Sequence, residues 1–70
     1  MTQGERILAY MKQNESITPM EAFSELGITK LSTRIGELRQ KGYKINDAFV
    51  DGKNRYGENV RYKKYWLAKV

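Results

Sequence analysis

Between Lys30 and Lys41 the chain concentrates Lys30, Ser32, Thr33, Arg34, Glu37, Arg39, Gln40 and Lys41. These side chains are hydrogen-bond donors, acceptors and fixed cations, with no strong nucleophile among them. The chemistry open to them is recognition. Hydroxyl, amide and carboxylate groups can match a pattern of donors and acceptors, while guanidinium and ammonium groups meet anionic oxygens. Catalytic chemistry finds little support elsewhere. The chain has no histidine and no cysteine, so a zinc site would need carboxylates alone. Asp47 and Asp51 could pair for acid–base work, but both are better explained as solubilising strand and turn residues. Gly52-Lys53-Asn54-Arg55-Tyr56-Gly57 has the glycine spacing of a phosphate-binding loop. It continues as Glu58-Asn59 where Lys-Ser/Thr is required, and no buried strand precedes it or helix follows it. No enzyme activity, cofactor, metal site or small-molecule ligand is therefore expected.

The recognition residues need an element to hold them. Read as a helix over residues 29–42, Leu31, Ile35 and Leu38 fall at i, i+4 and i+7 and share an arc of roughly 60°. Thr33, Gly36, Glu37 and Gln40 lie opposite this apolar stripe, with Lys30, Ser32, Arg34, Arg39 and Lys41 on its flanks. Slim hydrogen-bonding residues at the centre and long cations at the edges suit a helix lying in a groove of duplex DNA. An ordinary solvated face is also polar, and Glu37 could simply pair with Arg34 at i−3 or Lys41 at i+4. Thr29 can cap the start, and Gly42 can end the helix in the left-handed conformation. Gly36 inside the helix costs about 1 kcal/mol relative to Ala, which hints at close approach to another surface.

Seventy residues make one domain, 1–70, with a core small enough that stability is expected to be marginal. The net charge of +5 is unevenly placed. Residues 1–26 set two basic against four acidic residues, a net −2, and residues 27–70 set eleven against four, a net +7. That asymmetry points to a polyanionic partner on one face. No apolar run approaches the ~20 residues of a membrane span. The first residues have neither the basic start nor the apolar run of a signal peptide, so a cytoplasmic location is expected.

Taken in order, Thr2-x-x-Glu5 fits a capping box opening a helix over about residues 3–14, with Gly4, Ile7, Leu8 and Met11 on one face. Ser16-Ile17 is a short bridge, and Ile17 could add an edge strand. Thr18-Pro19-Met20-Glu21 repeats the start signal, with Pro at the first helical position. This second helix runs to about residue 26, with Ala22, Phe23 and Leu26 pointing inward and Gly27 stopping it. Only Gly27, Ile28 and Thr29 separate it from the third helix, near residues 30–41, which is the helix-turn-helix pattern. After Gly42 the period becomes two. Tyr43 to Val50 and Val60 to Leu67 alternate as strands, joined by the turn-rich, basic loop Asp51–Asn59, and together form a hairpin over about 43–67. Ile45, Tyr65 and Leu67 are the favoured inward register, leaving Trp66 partly exposed; Val60, Tyr62 and Trp66 are the competing one.

The pattern Thr18-Pro19-x-Glu21-Ala22-x-x-x-Leu26-Gly27-Ile28-x-x-Leu31-Ser32-x-Arg34-Ile35-x-x-Leu38-Arg39-x-x-Gly42-Tyr43-x-Ile45 resembles the small phage and prophage winged helix-turn-helix proteins. Their hairpins tend to end in Arg…Tyr-x-Leu, matched here by Arg61, Tyr65 and Leu67, so the likeness covers roughly residues 5–67. It implies an α+β fold of three helices followed by a two-stranded wing, and binding to double-stranded DNA. Lys30, Ser32, Thr33, Gly36, Glu37 and Gln40 are then expected to face bases. Arg34, Arg39, Lys41, Lys53, Asn54, Arg55, Arg61 and Lys63 are expected to face phosphates. Such proteins include repressors, activators and excisionase-type recombination factors. For this chain a homodimer, or a protein-interaction module docking its basic face on an acidic phage or host protein, is the alternative expectation. The basic-aromatic run Arg61–Trp66 could stack single-stranded bases, although in so small a domain these aromatics are better read as core.

Overall fold

The computed structural model describes residues 1–68. Helix α1 spans Gln3–Asn14, α2 Pro19–Leu26 and α3 Leu31–Gln40, followed by strands β1, Ile45–Lys53, and β2, Asn59–Leu67. Both expected capping boxes form. Thr2 accepts from the Glu5 N–H at 3.1 Å while Glu5 accepts from the Thr2 N–H at 2.9 Å. Thr18 and Glu21 make the same exchange at 3.2 and 3.0 Å, with Pro19 in the first turn. These reciprocal bonds satisfy orphan N–H groups without distant partners, which is why both helices begin where local chemistry says they should.

The turns into and out of α3 follow the same local logic with one exception. Gly27 adopts φ +69° and lets Ile28 turn back, its N–H donating to the Ala22 carbonyl at 2.9 Å. Gly42 adopts φ +100°, with its own N–H on the Arg39 carbonyl and the Tyr43 N–H on that of Leu38. This is the paired closure that a left-handed residue after a helix permits. The exception is Thr29, which does not cap. The residue flanking the start of α3 is Lys30, no side chain accepts from the first turn, and the helix begins one residue later.

Side chains from every element meet in one core. Ile7, Leu8 and Met11 of α1, Ala22 of α2, and Leu31, Ile35 and Leu38 of α3 are buried with Ile17, Ile28, Ile45 and Tyr65. The strands pair antiparallel with Ile45 opposite Leu67 and Lys53 opposite Asn59. Ile45 and Tyr65 face inward and Leu67 packs against the core, while Trp66 is half-buried on the other side, so the favoured register holds. Ile17 adds its single residue of edge strand, exchanging bonds of 2.8 and 2.9 Å with Tyr65. Phe23 is a correction. It was expected inward and is 59% exposed. About 100° round the helix from Ala22, it falls beyond the strip of α2 that the neighbouring elements cover.

Candidate nucleic-acid interface

Burial of Leu31, Ile35 and Leu38 turns the opposite side of α3 to solvent. Lys30, Ser32, Thr33, Gly36, Glu37 and Gln40, the residues expected at bases, are all exposed. A Cβ added at Gly36 would meet nothing within 4 Å. The glycine therefore serves no packing need of its own chain, although it weakens the helix. Gly36→Ala is expected to stabilise the protein by about 0.5–1 kcal/mol and, at the centre of this face, to weaken DNA binding. Paired thermal melts and binding titrations check it. Equal affinity for both proteins would show that no surface approaches this backbone closely.

The cations expected at phosphates divide into three groups. Arg34 lies on one flank of α3, in a small cleft shared with Glu37, Lys41 and residues 2–4 at the start of α1. Its Nη1 donates to Glu37 Oε1 at 2.9 Å, the i, i+3 pair foreseen as the alternative for these residues. The Arg34 Nε is shielded from solvent and has no hydrogen-bond partner. Among the described residues no ion pair joins Lys41 to Glu37.

Arg39 occupies the other flank and is committed to the fold. Its Nε and Nη2 donate to the Ile45 carbonyl at 3.1 and 2.7 Å, and Nη2 also reaches Asp47 Oδ2 at 2.7 Å. Expected to face phosphate, Arg39 uses its Nε and Nη2 donors to tie the end of α3 to the base of β1. That bond, aided by nearby Lys63, holds the Asp47 carboxyl below the usual aspartate range.

Beyond Asp47 the hairpin continues as a cationic face. Asp47, Phe49 and Asp51 stand opposite Tyr65, Lys63 and Arg61, so they share the side on which Ile45 packs. The Arg61 guanidinium lies 4.4 Å from the Phe49 ring centre and the Lys63 ammonium 5.3 Å from it. The negative face of the ring attracts both cations. Lys63 also approaches Asp47, and Arg61 approaches Asp51, each at 3.9 Å. The loop expected over Asp51–Asn59 is corrected to residues 54–58, because Asp51, Gly52 and Lys53 pair with Arg61, Val60 and Asn59 and extend the strands. Lys53, at the end of β1, and Arg55, in the turn, are exposed with no ion-pair partner among the described residues. Asn54, also expected to face phosphate, is engaged within the turn. Its Oδ1 accepts from the N–H groups of Tyr56 and Glu58 at 2.9 and 3.1 Å, and its Nδ2 donates to Glu58 at 3.1 Å. The side chain builds the turn. Asn followed three residues later by Gly is a turn signature that could have revealed this from the sequence. Sequence reasoning also passed over Phe49, the platform for two cations, and Asp47, the link to Arg39.

The face so assembled runs from the outer side of α3, across the Arg39–Asp47 tie, and along the hairpin to Lys53 and Arg55. None of the described helices is long and apolar enough to cross a membrane. A search of curated proteins and of solved structures finds no significant match. A family model described as a winged helix-turn-helix domain, a fold that suggests DNA binding, matches residues 2–70. With three helices, a four-residue turn (27–30) before the third, and an antiparallel hairpin in place, this chain belongs to the winged helix-turn-helix domain family.

Proposed function

We propose that the protein binds double-stranded DNA sequence-selectively, as a transcriptional regulator of the phage and prophage type it resembles. Helix α3 enters the major groove, and the loop between β1 and β2 lies on the backbone or in the adjoining minor groove. The observation that carries this reading is the exposed α3 face, with small hydrogen-bonding residues at its centre, continuous with a cationic hairpin. Thr33, Gln40 and Ser32 read base edges, and Glu37, held by Arg34, accepts from cytosine or repels other bases. The uncapped first turn of α3 adds partial positive charge at the end that meets the duplex first. Lys41, Lys53, Arg55, Arg61 and Lys63 supply charge toward phosphates, with Arg39 as a positioning residue. An excisionase-like role would use the same face but bend DNA beside a recombinase. A protein-docking role would replace DNA by an acidic partner.

The test separates bases from phosphates. Sites are first selected from random duplex DNA, and variants are then titrated against a selected site and scrambled duplex across a salt series. Thr33→Ala is expected to shift preference at one base pair by about 1–3 kcal/mol. Lys53→Ala and Arg55→Ala are expected to weaken all sequences alike and to lower the salt slope by about one each. Reversed behaviour would mean the two roles are assigned backwards. If the parent shows no salt-dependent binding to any duplex at low salt, the docking reading takes over.

A further inference from the structure

The tip of the hairpin is more ordered than a connecting loop requires. In addition to the three bonds of the Asn54 side chain, the Asn54 N–H donates to the Glu58 carbonyl at 3.1 Å. The Gly57 N–H donates to the Asn54 carbonyl at 3.0 Å. At the apex of this closed turn stands Tyr56, 78% exposed. The two other aromatics in the outer part of the hairpin, Phe49 at 57% and Tyr62 at 37% exposure, each rest one face on their own chain. Phe49 lies beneath Arg61 and Lys63, and Tyr62 lies over Gly52, its ring 3.3 Å from where a Cβ would be. Tyr56 is left bare on a backbone that cannot fold it away.

An aromatic ring on a pre-ordered turn gives up little entropy when it binds, because only its own two torsions remain to be fixed. Lys53 and Arg55, exposed nearby in the chain with no ion-pair partner among the described residues, can hold phosphates close to whatever the ring meets. An exposed ring at the end of a narrow projection that also carries two cations suits partial insertion at a base step of a duplex. Side chains that wedge there unstack the step and kink the helix. We propose that Tyr56 is such an inserting residue, entering the minor groove at one base step and bending the DNA, with Asn54 as the residue that positions it. The proposal rests on the duplex-binding reading above. Pyrimidine–purine steps unstack most readily, so one of these is expected beneath the wing.

The experiment uses the full chain and duplexes recovered by selection, with 2-aminopurine substituted in turn at each position flanking the major-groove site. Parent protein should raise 2-aminopurine fluorescence at one step, and a gel-phasing series on the same site should report a bend. Tyr56→Ala should abolish both signals and lower affinity by about five- to a hundredfold, the range of a lost aromatic–base stack. Tyr56→Phe should keep them, and Asn54→Ala should weaken them with Tyr56 still present. Tyr56 is 78% exposed, so its variants should melt with the parent. A Tyr56→Ala variant that binds and bends like the parent overturns the insertion while leaving duplex binding intact. Fluorescence changes seen only with single-stranded oligonucleotides overturn it in favour of single-strand stacking. A parent protein that binds no duplex overturns it together with the function on which it rests.

Discussion

Leu38→Ala should leave the protein at or beyond the edge of folding. Leu38 is 4% exposed, and its Cδ2 lies 3.1 Å from where a side chain on Gly4 would begin, so it seats α3 directly on α1. Removing three side-chain carbons from such a position costs about 2–5 kcal/mol, from lost burial and from the cavity left behind. A chain of 70 residues has a total of roughly 4–10 kcal/mol to lose. Tm should therefore fall by about ten degrees or more, and DNA binding should fail with it because α3 loses its seat. Phe23→Ala is the control. Its ring is 59% exposed, so the loss should stay within about 1 kcal/mol. Thermal melts of both variants decide the matter. Equal destabilisation by the two would restore the inward reading of Phe23 and remove the special place of Leu38.

That contrast shows which parts of the molecule the sequence could reveal. The starts of α1 and α2 were legible because Thr2 with Glu5, and Thr18 with Pro19 and Glu21, complete their chemistry within one turn. The inward strand register was legible because Tyr65 and Leu67 share parity and only one side of the hairpin has helices to pack on. Phe23 was not legible. Ala22, Phe23 and Leu26 are all apolar, and nothing local says which edge of an eight-residue helix its neighbours leave uncovered. Thr29 was misread because burial of Ile28 and the turn at Gly27 decide where α3 begins, and a capping preference is weak beside them. The bonds of Arg39 were not legible for a different reason. Its partners lie six and eight residues ahead, across a helix end and into a strand, whereas helical periodicity relates only residues three and four apart. The outer face of α3 was readable as a face, and the folding role of one cation on its edge was not.

Asp47→Asn should produce two effects of opposite sign, and the signs tell a positioning residue from a simple charge. Coulomb repulsion alone says that removing an anion from a face that meets phosphates should strengthen binding to every duplex. Asp47 also receives the Arg39 guanidinium at 2.7 Å and lies 3.9 Å from Lys63, so it joins the end of α3 to both strands of the wing. With that joint loosened, helix and wing are no longer held at one mutual angle. A site that needs both at once then loses the advantage of their pre-arrangement. Scrambled duplex should accordingly bind Asp47→Asn as well as the parent or better. The selected site should lose about tenfold in preference, the equivalent of one base-pair contact. Arg39→Ala should lower preference in the same way, and the double variant should be little worse than either single one, because the two act through one bond. The joint has a pH signature as well. A carboxyl whose folded value is depressed contributes stability that is complete above its ordinary range, about pH 4, and is lost as pH falls through the depressed value. Melts from pH 7 down to pH 2 should show the parent losing more stability on the acid limb than Asp47→Asn does. If the variant instead binds selected and scrambled duplex more tightly by the same factor, Asp47 acts as a surface charge, and the angle between α3 and the wing is set by the core alone.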